Sequence, residues 1–114
     1  MNEIEIKDLA EVGDLIGDAE ATKEVELKSL KKKVVIKKIT VGEIADILKV
    51  AKENEMQQYL WMVYKGLVKP KLTFDQVKKL KFETLVEIAL AIQKFSGLDR
   101  ESISRLENLL GIKP

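Results

Sequence analysis

The sequence predicts a mainly α fold: a compact helical domain of four to five helices preceded by a short β-hairpin, hence α+β with minor β. Apolar residues recur at helical spacing through much of residues 40–114, and helix-start signals precede several of these stretches. Alternation of apolar and charged residues is strongest in residues 23–39. A chain of 114 residues is long enough for one domain with one core.

Residues 1–22 are predicted to be an N-terminal arm or linker outside the single domain of residues 23–114. Ile4 and Ile6 alternate with Glu as in a strand, whereas Leu9, Val12 and Ile16 follow helical spacing. Two glycines weaken that helix by about 1 kcal/mol each relative to Ala. The segment is therefore either a frayed arm or marginal helix, or an arm that docks on a neighbouring subunit or partner.

Residues 23–39 form the predicted β segment, in which Val25 and Leu27 alternate with charges and residues 34–36 are β-branched. The same stretch holds a cluster of lysines: Lys28, Lys31, Lys32, Lys33, Lys37 and Lys38. These lysines either solvate a strand edge and discourage aggregation or contact phosphates. We favour the first interpretation, because the cluster contains neither an aromatic residue to stack on bases nor an Arg to read guanine.

The helical part, residues 40–114, begins with a T-x-x-E capping box formed by Thr40 and Glu43. Five apolar residues then line one helical face: Val41, Ile44, Ile47, Leu48 and Ala51. Asn54 with Gln57 marks a second helix start, unless the first helix continues to Val68. Gly66 and Pro70 bound the end of this stretch, because Pro cannot extend a helix.

Three further helices are predicted downstream. A short one begins with the capping box of Thr73 and Gln76 and ends near residues 80–81. Residues 83–96 carry a wide apolar face, followed by Gly97 at the position of a left-handed cap. Asp99 is the predicted N-cap of the last helix, whose apolar stripe comprises Ile103, Leu106, Leu109 and Leu110.

The side chains available argue against an enzyme. The chain contains no His and no Cys, which removes the commonest general base, thiolate chemistry and most zinc sites. Glycine-rich phosphate-binding motifs are absent, and the carboxylates follow no paired pattern. We therefore predict a non-enzymatic protein with no catalytic residues, no metal site and no cofactor.

The net charge and the hydropathy of the chain indicate which partners and which cellular location it can have. The formal net charge is +1, so a global cationic field for nucleic acid is lacking. The start is acidic and without an apolar signal, and no run approaches the roughly 20 apolar residues of a membrane span. These features predict a cytoplasmic protein with no membrane association. Abundant Lys and Glu also resemble a thermophile's composition, although a charged helical surface has the same signature.

Two local patterns have competing interpretations. The pair of helical segments over residues 73–80 and 83–95 resembles a helix-turn-helix, but its second helix is too apolar to read bases and is better explained as core. The aromatic residues Tyr59, Trp61 and Tyr64 fit either a core or a protein interface.

The order of several motifs resembles the tail assembly chaperones of long-tailed phages and of the proviruses derived from them. A basic β segment enters a capped helix at residues 33–43, and an aromatic-rich helix follows. The stretch Pro70-Lys71-Leu72-Thr73-Phe74-Asp75-Gln76-Val77 comes next, and after a further helix Phe95-Ser96-Gly97-Leu98. The likeness covers roughly residues 24–98.

The resemblance implies a helical protein that coats the tape-measure protein, recruits tail-tube subunits and leaves before the virion is complete. It would therefore act in the cytoplasm of the host cell. Coating requires apolar helix faces that exchange self-association for partner binding. The candidate partner-binding residues are Trp61, Tyr64, Leu106 and Leu110, and a homo-oligomer is possible. The alternatives are a generic protein-interaction or oligomerisation module, and a nucleic-acid-binding accessory protein that uses the Lys28 to Lys38 cluster.

Overall fold

The structure is a computed structural model that describes residues 9–52 and 54–111. In chain order the described elements are α1 (Val12–Ile16), β1 (Thr22–Leu27), β2 (Lys32–Lys37), α2 (Val41–Ala51), α3 (Glu55–Gly66), β3 (Leu67–Lys69), α4 (Phe74–Val77), α5 (Phe82–Phe95) and α6 (Arg100–Leu109). The predicted strand-like alternation of Ile4 and Ile6 lies outside the described residues.

The three strands form one antiparallel sheet in the order β1-β2-β3. β1 and β2 are a hairpin in continuous register, from Thr22 opposite Lys37 to Leu27 opposite Lys32. β3 returns to the other side of β2 and pairs Leu67 with Ile36, with a register shift that passes over Val68. The middle strand β2 therefore joins the N-terminal hairpin to the helical part.

The predicted fold class is wrong in two respects. The strands are not a simple hairpin that precedes the helices, because β3 follows α3 and completes the sheet. The described residues also hold six helices rather than four to five. With three residues, β3 is too short to show a period-two pattern in the sequence. It can be recognised as a strand only from its pairing with β2.

The helix starts lie where the capping signals predict them. The Thr40 hydroxyl accepts a hydrogen bond from the Glu43 N–H, and the Thr73 hydroxyl accepts one from the Gln76 N–H, both at 3.2 Å. The Asn54 side chain accepts from the Gln57 N–H at 3.0 Å, so α3 is a separate helix. These side chains satisfy N–H groups that have no partner within their own helix.

The core lies between the sheet and the central helices. α3 packs on α5, and α5 also contacts β1 and β2. The most buried large side chains are Leu27, Ile36, Ile44, Ile47, Val63, Val77 and Ile92. On the predicted face of α2 four residues are buried, but Val41, in the first turn, is 70% exposed.

Hydrogen bonds attach α5 to the segments around β1 and β2 at two points. At the β1–β2 turn, the Glu87 carboxylate accepts from the Lys28 N–H at 2.6 Å and from the Ser29 hydroxyl at 2.8 Å. At the C-terminal end of α5, the Ser96 hydroxyl accepts from the Ile39 N–H at 2.8 Å. The middle of α5 is thereby fixed against the β1–β2 turn, and its C-terminal end against the segment that follows β2.

Candidate functional site

Three aromatic rings from α3 and α4 pack together. The Trp61 and Phe74 rings stack with centroids 4.3 Å apart and planes 29° apart. The Tyr64 ring meets both of them edge-on, at centroid distances of 5.8 and 5.7 Å. All three rings are half-buried. Such aromatic pairs are each worth about 0.5–1.5 kcal/mol beyond the area they bury.

Two lysines stand over these rings. The Lys71 Nζ lies 5.3 Å from the centre of the Tyr64 ring and 3.4 Å from the Tyr64 carbonyl oxygen. The Lys78 Nζ lies 5.6 Å from the Phe74 centroid and 3.3 Å from an Asp75 carboxylate oxygen. We call Trp61, Tyr64, Phe74, Lys71 and Lys78 the aromatic–lysine surface.

The local sequence explains why these groups meet. Trp61 and Tyr64 are three residues apart and share a side of α3. The capping box of Thr73 and Gln76 makes Phe74 the first residue of α4, which packs on α3. The Pro70-to-Val77 stretch, one of the motifs whose order resembles the family, is therefore the segment that places Phe74 against Trp61.

The surroundings of this surface are basic. Residues 61–81 contain six lysines and a single carboxylate, Asp75. Asp75 and Lys78 form an exposed ion pair and offset each other, which leaves the stretch with five positive charges in excess (six lysines less one carboxylate). An exposed pair of this kind is weak, so Lys78 can exchange Asp75 for the carboxylate of a partner. The surface therefore presents flat apolar rings among cations, a combination suited to an apolar segment that carries carboxylates.

The candidate residues from the sequence fall in two places. Trp61 and Tyr64 meet in the aromatic–lysine surface. Leu106 and Leu110 belong to the α6 end of the chain, where both are half-buried against the core. Their neighbour Leu109 is 81% exposed.

Sequence reasoning missed three members of the surface: Phe74, Lys71 and Lys78. One signal was present, because lysines and aromatics are interleaved over residues 61–81. The lysine run in residues 28–38 is denser and is the stronger local charge signal.

The Lys28 to Lys38 cluster does not form one free basic patch. Lys33 lies 3.8 Å from Glu24, Lys37 lies 3.3 Å from Glu43, and Lys38 lies 2.7 Å from Asp18. The hydrogen bond from Lys38 holds the pKa of Asp18 below its ordinary value. Partial burial raises the pKa of Glu43, but its bonds to Thr40 and Lys37 outweigh this and lower the pKa.

A concavity of about 300 Å³ lies between α3, α5 and α6, apart from the aromatic–lysine surface. The buried Gln58 amide donates to the buried Glu107 carboxylate at 3.2 Å, and Arg100 pairs with Glu55 at 3.0 Å across its rim. These polar groups bind one another and so attach α6 to α3.

Within residues 9–52 and 54–111, no group of three or more Asp, Glu, His or Cys side chains is placed to hold a metal ion. In the same part of the chain, none of the helices has the length and hydropathy needed to cross a membrane.

Comparison of the chain with protein-family models, with curated proteins and with solved structures gives no significant match. The features of the chain that bear on its function are therefore the aromatic–lysine surface and the order of motifs in the sequence.

Proposed function

We propose that the chain is a non-enzymatic tail assembly chaperone of the phage type, which binds a tape-measure-like helical protein and helps to recruit tail-tube subunits. The observation that carries the proposal is the aromatic–lysine surface. It contains two of the four residues expected to bind a partner, Trp61 and Tyr64, and the Pro70-to-Val77 motif supplies two more of its members, Lys71 and Phe74.

The chemistry of this surface fits an amphipathic helix as its ligand. A helix of a long assembly protein presents an apolar stripe with charged residues along its borders. The stacked Trp61 and Phe74 rings offer a flat apolar contact, and Lys71 and Lys78 can meet carboxylates at the border of the stripe. Recognition by one face of a helix requires no catalytic group, in keeping with the absence of His and Cys.

The test is co-expression with a long helical protein encoded beside this chain. We expect the chain to co-purify with that protein and keep it soluble. The variant Lys71→Glu/Lys78→Glu should lose co-purification, because both lysines lie at the surface and reversal removes their attraction for carboxylates. The matched control Lys32→Glu/Lys33→Glu makes the same charge change on the hairpin and should bind normally.

Failure of the wild-type chain to bind or solubilise the long helical protein would contradict the proposal. Equal loss of binding in both lysine variants would point to net charge rather than to the aromatic–lysine surface. From the family resemblance we also propose that the chain acts in the host cytoplasm and is absent from the mature virion. Detection of the chain in purified virions would contradict its proposed absence from the mature virion.

The alternative is a generic protein-interaction or oligomerisation module. It is favoured by exposed apolar residues outside the aromatic–lysine surface, among them Val50 at 66% and Leu109 at 81%. Self-association without affinity for a tape-measure-like protein would support it. Nucleic-acid binding by the hairpin lysines would instead show a steep salt dependence that the Lys32→Glu/Lys33→Glu variant reduces.

A further inference from the structure

The α1 segment is an apolar arm that is not packed into the core formed by residues 9–52 and 54–111. None of the residues of α1 is buried, and its apolar side chains are strongly exposed: Val12 at 71%, Leu15 at 79% and Ile16 at 60%. Leu9, just before the helix, is 92% exposed. Four such side chains in eight residues are an unusual exposure of apolar surface, which marks a site of interaction.

The arm is also acidic. Residues 9–20 contain the four carboxylates of Glu11, Asp14, Asp18 and Glu20 and no Lys or Arg. Asp18 is paired with Lys38. Asp14 accepts a hydrogen bond from the Glu11 N–H at 3.0 Å, which caps α1 and does not neutralise the carboxylate. The negative charges of Glu11, Asp14 and Glu20 can therefore face the cations of a partner. An apolar segment bordered by carboxylates complements flat rings bordered by lysines, and the chain carries such a surface on α3 and α4.

The arm and the aromatic–lysine surface are joined along the chain to opposite edge strands of the sheet. The arm leads into β1, one edge strand, whereas β3 is the other edge strand and continues into Lys71. Two contacts fix the base of the arm beside the end of β2. Lys38 Nζ lies 2.7 Å from Asp18, and the Lys38 N–H donates to the Ala21 carbonyl at 3.2 Å.

We propose that residues 9–16 of one copy bind the aromatic–lysine surface of a second copy. Leu9, Val12, Leu15 and Ile16 pack on the exposed parts of the rings, and Glu11 and Asp14 face the lysines. The two contacting surfaces differ, so the association is heterologous and continues from copy to copy, as a ring or an open chain. Such an array covers the rings until another apolar helix displaces the arm.

Mixing two complementary variants tests this arrangement. Leu15→Ser/Ile16→Ser disables the arm and keeps the surface, whereas Lys71→Glu/Lys78→Glu reverses the surface and keeps the arm. All four side chains are exposed, so both variants should retain the fold, which circular dichroism and thermal unfolding verify. Solution mass is then measured by light scattering over a range of concentration and salt.

We expect the wild-type chain to grow in mass with concentration at low salt and to dissociate at high salt. Each variant alone should remain a monomer of 12.9 kDa. An equimolar mixture should form a 1:1 dimer and stop there, because only one functional arm and one functional surface remain. Val50→Ser, which removes a comparably exposed apolar residue from α2, should associate like the wild type.

A wild-type chain that stays monomeric at low salt would overturn the proposal, as would an arm variant that still associates. Association of the Lys71→Glu/Lys78→Glu variant with itself would show arm-to-arm contact and also overturn it. These measurements need only the chain itself, so their outcome is separate from the test of chaperone function. In that test the arm variant should still bind the long helical protein, because its aromatic–lysine surface is intact.

Discussion

Gly66 illustrates how a single residue sets the packing of α3 on α5. It is buried at the end of α3, and a β-carbon there would lie 2.7 Å from Cδ1 and 3.0 Å from Cγ2 of Ile92. Ile92 is itself fully buried, so it has little room to move. The absence of a side chain at Gly66 therefore permits the close approach of the two helices.

Gly66→Ala should lower the free energy of unfolding by about 1–2 kcal/mol. Overpacking a filled core destabilises a protein by about 1–3 kcal/mol, whereas the better helix propensity of Ala stabilises it by up to about 1 kcal/mol. Denaturant unfolding measures the change. The double variant Gly66→Ala/Ile92→Val lacks the Cδ1 atom of Ile92. Its loss in free energy of unfolding should be smaller than the sum of the losses in the two single variants.

Gly42→Ala is the matched control for this prediction. Gly42 is exposed in α2, and the nearest atom to an added β-carbon is the Thr40 hydroxyl oxygen at 4.0 Å. The control should therefore be neutral or stabilising by up to about 1 kcal/mol. A Gly66→Ala protein as stable as the wild type would refute the packing argument.

At the scale of elements, the hydrogen-bonded contact between the β1–β2 turn and α5 depends on one carboxylate. The Lys28 N–H and the Ser29 hydroxyl donate to Glu87, and these bonds hold the pKa of Glu87 below its usual value. The ionised carboxylate is thus favoured in the folded state. Its stabilisation is complete above the unfolded pKa of about 4.3 and is lost as pH falls through the lower, folded pKa.

Glu87→Gln should therefore be less stable than the wild type at pH 7, and this difference should shrink as the pH falls below about 4. Urea unfolding midpoints at pH 7 and at pH 3 provide the measurement. Glu26→Gln, on the exposed side of β1, is the control and should show a smaller difference at pH 7. A Glu87→Gln difference that does not change with pH would contradict the assigned role of the ionised group.

At the scale of the whole molecule, stability is unevenly distributed. The buried cluster draws side chains from β1, β2, α2, α3, β3, α4 and α5. Among the described residues, α1 contributes nothing to it, and the only buried residue of α6 is Glu107. We expect the sheet and the central helices to unfold as one cooperative unit, with both terminal helices opening at lower free energy.

Hydrogen exchange measured on dilute, monomeric protein tests this distribution. The amides of α3, α5 and β2 should be the most protected, whereas those of α1 and α6 should exchange faster by a factor of ten or more, since each 1.4 kcal/mol of opening free energy is about tenfold. Raising the protein concentration should slow exchange in α1 if the arm docks on a second copy. Equal protection across all the helices would contradict the uneven distribution.

Much of the helical part follows from local sequence. Capping by Thr40, Asn54, Thr73 and Asp99 and the left-handed Gly97 act within a few residues of their own position. The resulting helix starts lie where the pattern predicts them, because no distant contact is needed to satisfy the first N–H groups. The β1–β2 hairpin likewise follows from adjacent alternating segments.

Other features depend on contacts between distant residues, which no local pattern contains. The β3 strand exists because Leu67 pairs with Ile36 in β2, and the aromatic–lysine surface exists because Phe74 packs on Trp61. Sequence by itself determined where α2, α4 and α6 begin and that the chain lacks His and Cys. Only the tertiary structure decided which strands pair, which lysines are neutralised and which aromatic rings meet, because each of these depends on which distant segments the core brings together.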